Sequence, residues 1–259
     1  YALDQFVMRG GKLIAFVDTY AYFDQQPDLQ NPFGGSAAGQ STLTSLFKAW
    51  GVEPSQGKVV ADLTFASGEG PRLLPTLLSL NNEALNMDDV VTSQVGTMLM
   101  PFSASFVVKP PEGLKQTTLV HTSKNSMLAD LIIATLSGEP STRGFQPSGK
   151  EEPLAFRLTG KFKTAFPNGK PADPFARGKA VDPAQFEADR KSHLREAAAE
   201  NTVVIVGDVD MLTDGAAVDI QEMFGQRVAV PRNGNLAFAQ GLVEQMAGDS
   251  ALINLRSRA

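Results

Sequence analysis

Three aspartates stand where strands should end. The apolar or β-branched run Thr202–Val206 breaks at Gly207 into Asp208 and Asp210, and Leu13-Ile-Ala-Phe-Val17 runs straight into Asp18. Carboxylates are hard oxygen donors, so Asp18, Asp208 and Asp210 form a candidate magnesium or calcium site if the two strands are neighbours. The same acids could run a metal-dependent hydrolase or phosphotransferase, one as nucleophile and one as acid/base. The plainer reading is that Asp208 and Asp210 shape a turn while Thr213 or Asp214 caps the next helix. Ser123 sits in a second polar cluster, Thr122-Ser-Lys-Asn-Ser126, suited to turns and caps. Asp18, Ser123, Asp208 and Asp210 are the candidate ligand-binding residues, and the sequence assigns no catalytic residue, no fixed metal ligand and no cofactor.

Each catalytic pattern departs from its template. Gly207-Asp-Val-Asp210 after an apolar strand resembles the haloacid-dehalogenase phosphotransferase motif, which wants Thr or Val two places after the second Asp. Leu212 stands there, and only about fifty residues follow, with no acidic pair. Gly34-Gly-Ser-Ala-Ala-Gly39-Gln40-Ser41 fits the phosphate-binding loop except at Gln40, where the Lys that grips phosphate should be. A flexible loop is the better reading. Of the two His, His121 sits at a strand end beside Ser123 and His193 on a charged helix, expected to be solvated. Neither HExxH spacing nor a Gly-x-Ser-x-Gly elbow accompanies them. A non-enzyme is expected.

The bulk numbers narrow the class. The 259 residues are 42% hydrophobic and 20% charged, as in an ordinary globular protein, with a net charge of −5. That balance exerts no general pull on nucleic acid. With no Cys there is neither thiol nucleophile nor disulfide frame. The apolar runs fall short of the roughly 20 residues needed to cross a bilayer. Both ends stop inside plausible structure, so the chain is expected to be a piece of something longer.

What must position the acids is a set of alternating strands and helices. Apolar spacing predicts a helix over 1–8 closed by Arg9-Gly10-Gly11, then the strand 13–17. A Pro/Gly/Gln-rich mobile loop is expected over 19–40. Ser41 could cap a helix carrying Leu43, Leu46, Phe47 and Trp50, stopped by Gly51. Lys58–Leu63 follows as a strand. Residues 64–114 read as β-rich, with strands near 73–80 and 97–108, the latter interrupted or an edge at Pro101, and Asp88-Asp89 could start a short helix. Thr117–His121 is β, and 154–166 reads as a half-exposed strand between mobile loops at 137–153 and 167–182. A charged helix spans 183–200. After the central strand come a helix over about 214–224, a strand at 227–230 and an amphipathic helix over 235–246 ended by Gly248. A run without a polar face belongs in a strand buried on both sides. The expected fold is α/β: flavodoxin-like, doubly wound and mostly parallel, with a β-rich insertion or antiparallel extension at about 64–114.

The chain also resembles a known family. Ala2-Leu-Asp-Gln-Phe-Val-Met-Arg-Gly-Gly-Lys-Leu-Ile-Ala-Phe-Val-Asp18 is similar to the opening of the extracytoplasmic region of GldG-like proteins. These are auxiliary components of an uncharacterised ABC-type transport system first linked with gliding motility. Leu46–Val52 with Val59–Asp62, Leu119–Ser123, Leu154–Phe162, Val204–Asp210 and Leu252–Arg258 continue the match in order. The resemblance implies one extracytoplasmic α/β domain over 1–259. It would sit at the periplasmic face of the inner membrane, anchored by flanking transmembrane helices that this chain lacks. The implied partners are an ABC permease and its ATPase. The wider superfamily resembles domains linked to sugar binding and to glutamine amidotransferases, whose Cys nucleophile is absent here. It therefore implies a non-catalytic binding or scaffolding role, with a sugar or other small ligand held at the C-terminal ends of the strands.

Overall fold

Val203, Val204, Ile205 and Val206 are all fully buried, and a computed structural model shows what covers them; it describes residues 1–26, 37–172, 183–223 and 225–248. Because strand side chains alternate, the run faces two cores. Val204 and Val206 pack with Leu78, Met100, Phe238 and Leu242. Val203 and Ile205 pack with Phe47, Trp50, Phe106 and Phe156. Burial on both sides, as the unbroken apolar run predicts, is what the strand Asn201–Val206 shows.

Its neighbours differ from expectation. The four-stranded sheet runs in the order Leu13–Phe16, Asn201–Val206, Pro153–Gly160, Leu114–His121. Leu13–Phe16 pairs parallel with Val203–Val206. Pro153–Gly160 pairs antiparallel with both the central strand and Leu114–His121. The sheet is therefore mixed, not mostly parallel as expected. A parallel join needs a long crossover, usually a helix laid over the sheet. The chain between His121 and Pro153 instead forms the strand Ser126–Asp130, bound antiparallel to Lys58–Asp62, and helical turns at Leu131–Ala134 and Glu139–Thr142. With no helix to carry it across, the strand returns in the opposite sense.

The protein is a mixed α/β structure with several sheets. The middle is β-rich as expected: Ala66–Ser67, Leu74–Leu80 and Met98–Pro101 form one sheet, and Val52–Pro54 pairs with Phe106–Val108. Pro101 does interrupt its run. Residues 86–95 turn instead of starting a helix at Asp88. Pro153–Gly160 is an interior strand, not half-exposed. Arg157 lent it a polar look, but that guanidinium is turned inward onto Asp89. The expected loop 19–40 is largely strand where described, since Asp18–Gln26 pairs with Ala37–Ser41; 27–36 lie outside the described residues. So do 173–182 and the Leu252–Arg258 motif, while the charged helix is described as Pro183–Ser192.

The helix Ala2–Met8 forms where the spacing placed it, and its Gly10, at φ 89, closes it. Its buried face is different: Leu3 and Phe6 are exposed, while Asp4 and Gln5 are buried. The neighbouring loops explain this, because their backbone groups need partners. Asp4 accepts from Ala165 N (2.8 Å) and Thr164 Oγ1 (2.6 Å). Gln5 both donates to Leu194 O and accepts from Leu194 N. The helix Thr44–Trp50 buries Leu46, Phe47 and Trp50 and ends at Gly51, φ 69. A Cβ at Gly51 would lie 1.9 Å from Lys109 O. Ser41 does not cap this helix; its hydroxyl accepts from Asp18 N.

Beyond the central strand a single turn, Asp214–Ala217, replaces the expected longer helix and leads into a hairpin, Val218–Met223 with Gln226–Pro231. The last helix, Asn235–Ala247, ends at Gly248 as expected. Asn235 is fully buried. Its side chain accepts from Leu99 N (3.0 Å) and donates to Leu99 O (2.8 Å) and Met211 O (2.7 Å). This amide closes the open edge of Met98–Pro101 and ties it to the turn after the central strand. Asn235→Ala strands three backbone groups and is expected to lower unfolding stability by about 2 kcal/mol. Urea denaturation that leaves the midpoint unmoved would show that these groups find other partners.

Candidate functional site: strand-end acids and an aromatic cleft

The parallel register sets the two acids side by side. Phe16 pairs with Val206, and Val17 N donates to Val206 O at 2.9 Å, so the next step brings Asp18 level with Asp208. Asp18, Asp208 and Asp210 are each at most 1% exposed. The two strands are neighbours, which is the condition a site shared by these acids requires.

They do not face an open crevice. The segment Phe102–Phe106 crosses the end of the central strand: Ala104 N and Ser103 Oγ both donate to Gly207 O, at 2.7 and 3.0 Å. A Cβ on Gly207 would sit 2.4 Å from Ala104 O, so glycine is needed for this approach. The carboxylates accept from backbone N–H groups. Asp18 takes Tyr20 N (2.8 Å) and Val209 N (3.3 Å). Asp208 Oδ1 takes Met211 N at 2.8 Å. Asp210 takes Tyr22 N (2.6 Å) and Phe23 N (3.2 Å). Asp208 shapes the turn as the plainer reading expects, the Asp210 carboxylate instead holds the neighbouring strand, and Thr213 makes no side-chain cap. Among the described residues no three of His, Cys, Asp and Glu are arranged to hold a metal ion.

One oxygen stands apart: Asp208 Oδ2 is buried with no hydrogen-bond partner among the described residues. Burial pushes the Asp18 carboxyl up from 3.8 to about 7; Asp210 adds to that push while the backbone amides oppose it. Asp208 is held well above the usual carboxylate range, first by burial and then by the charge of Asp18.

Ser123 is elsewhere. Its hydroxyl and amide both donate to the buried Asp62, at 2.8 and 2.6 Å, and its Oγ accepts from Asn125 N. It shapes the turn between Leu114–His121 and Ser126–Asp130, ties that turn to the end of Lys58–Asp62, and bonds none of the three strand-end acids. His121 Nδ1 meets Thr122 O, with Glu151 at 3.9 Å, and Ser123 is not its partner. His193 is not a solvated helix residue: it follows the helix, stacks on Tyr1 at 5.8 Å and buries Nε2.

Beside the acids opens a cleft of about 280 Å³ lined by Tyr22, Phe23, Leu77, Leu99, Phe102 and Arg232, among others. A larger one, about 360 Å³, lies along Phe47, Lys48 and Val107 and takes in none of the strand-end residues. Tyr22 packs on Phe102 (4.8 Å between centroids) and edge-on to Phe23 (5.3 Å), and Phe23 is 52% exposed. Phe102 is the one non-glycine with positive φ (52°) among the described residues. Such a backbone persists only when its surroundings over-determine it. Here Phe102 N donates to Thr76 O at 2.8 Å, and Tyr20 and Tyr22 grip the ring. Arg232 closes one wall while bound to Asp219 and Gly215 O. The candidate residues named from sequence did not include this aromatic wall. The only sign of it was the alternation Tyr20-Ala-Tyr22, followed by Phe23, inside an expected loop.

The arrangement offers an apolar, aromatic surface for binding, backed by acids committed to holding backbone. A family model described as ABC-type uncharacterized transport system matches residues 1–241. No curated protein and no solved structure matches the chain.

Proposed function

The chain belongs to the ABC-type uncharacterized transport system family, and from that premise we propose that it is a non-catalytic binding or scaffolding domain of the system's auxiliary component. The observation that carries this reading is the commitment of Asp18, Asp208 and Asp210 to backbone amides beneath a covering segment. A hydrolase working through these acids would need them open to substrate and grouped around a cation. Membership supports association with an ABC transport system and its membrane. No described helix is long and apolar enough to cross a bilayer, so on this reading attachment falls to helices flanking the domain. In our reading residues 1–259 are one periplasmic domain of GldG-like type, its flavodoxin-like ancestry reduced to the single parallel ladder. It works beside permease and ATPase subunits. The cleft at Tyr22, Phe23 and Phe102 receives the ligand, since aromatic faces stack on a sugar ring or an apolar side chain alike.

The test is co-purification. Full-length protein extracted in mild detergent should bring down an ABC permease and ATPase, and Phe23→Ala with Phe102→Ala should leave that assembly intact while abolishing thermal stabilisation by any cleft ligand. Full-length protein that runs alone from membranes would remove the scaffolding role.

A further inference from the structure

We propose that Asp18 and Asp208 hold a single proton between them, and that this shared proton latches the Tyr20–Phe23 wall of the cleft to the strand ends. Three observations carry it. The parallel ladder ends at Phe16 and Val206, Val17 N still donates to Val206 O, and Asp18 and Asp208 leave it side by side, two residues beyond. Both are buried, and neither has a basic partner among the described residues. Asp208 Oδ2 has no hydrogen-bond partner among the described residues, and a neighbouring carboxylic O–H would supply one. Two carboxyls buried together, the charge of one opposing ionisation of the other, cannot both ionise cheaply, so one proton shared by the two is the low-energy state. A cation could also bring the acids together, but no three of the described ligands are arranged to hold one.

The surroundings leave the pair to itself. Asp210, on the turn Asp210–Leu212, adds a negative charge to both. Tyr20 and Tyr22 lie on the same strand as Asp18. Phe102–Phe106, Leu13–Phe16, Asn201–Val206 and Ala37–Ser41 bring no acid or base. Lys58, on the strand beside Thr19, is drawn outward to Asp130 at 3.6 Å. Arg232, across the cleft, is bound by Asp219, and Asp214 is exposed on the next turn.

Loss of the proton to solvent takes the pair from one negative charge to two. Repulsion then acts on Asp18, which holds Tyr20 N, and is passed to Asp210, which holds Tyr22 N and Phe23 N. The pair holds its last proton above the unfolded value of 3.8, because burial and then the charge of Asp18 both oppose its loss from Asp208. The folded chain therefore keeps a proton the unfolded chain has released. Stability is full below the lower value, falls as pH rises through that window, and is level above it. The latch is a property of the fold and does not rest on the transport role.

Melting temperature against pH tests it. The wild-type chain should lose roughly 5–10 °C between about pH 5 and pH 8. Asp208→Asn removes one of the two raised carboxyls and should make that slope clearly shallower, and so should Asp18→Asn if the first variant does not fold. Infrared spectra of the wild-type chain, which need no variant, should show a protonated carboxyl band at mild acid that fades over the same range. Hydrogen exchange should report at least about tenfold weaker protection at the Tyr20, Tyr22 and Phe23 amides once the proton is gone. Equal slopes in wild type and variant, or no carboxylic band, overturn the proposal. So does magnesium or calcium raising the wild-type melting temperature but not the variant's.

Discussion

Gly207→Ala is expected to cost about 3 kcal/mol or more of unfolding free energy. Gly207 is not among the positive-φ glycines, so the cost comes from space and not from backbone freedom. An added methyl would meet Ala104 O at 2.4 Å, Phe106 Cε2 at 2.8 Å and Leu154 O at 3.1 Å. Two of these are backbone atoms of segments fixed on either side. Ala104 cannot retreat without giving up its own bond to Gly207 O and that of Ser103. The expected signature is a lower urea midpoint with an unchanged slope, plus faster hydrogen exchange at Ala104. A variant melting within a degree or so of the wild type would show that the covering segment slides freely, and the claim of a closed strand end would fall with it.

Arg157→Ala should be comparably damaging, at about 3–5 kcal/mol. The guanidinium donates to both oxygens of Asp89, at 2.7 and 3.1 Å, and to Gln245 Oε1 at 2.5 Å. The Arg157 and Asp89 side chains are 12% and 10% exposed. This node joins an interior strand, the turn at 86–95 and the final helix. Removing the cation leaves a carboxylate in an apolar setting, and that stranded charge is the larger part of the loss. Arg157→Met with Asp89→Leu should therefore be more stable than Arg157→Ala alone. A double variant that simply adds the two single losses would show the pair to be uncoupled.

The burial of Val203–Val206 was legible because four successive apolar residues leave no polar face. Direction was not. An apolar run reports how deep a strand lies, and parallel and antiparallel ladders bury it equally. Arg157 misled in the opposite way, since a charged residue in an alternating pattern reads as solvent-facing when its partner, Asp89, is 68 residues distant in sequence. The helix 2–8 formed where expected, but its buried face was misread for the same reason: Asp4 and Gln5 turn inward to serve the backbone of residues 164–165 and 194. The acids at the site were legible because strand tips collect polar groups, and the shared register then fixed which two would meet. The cleft was not, because Phe102 and Tyr22 approach from opposite walls and neither carries a recognisable motif.

The strand Leu13–Phe16 has only one partner in its sheet, and that partner lies about 190 residues further on. A ribosome delivers the first strand early and its mate near the end. Until then an apolar ribbon waits with both flanks unsatisfied, open to self-association with other nascent chains. Such distant closure predicts slow maturation, with the helix Ala2–Met8 docking last, when Asn201 arrives to bind Val7 O and Gly11 O.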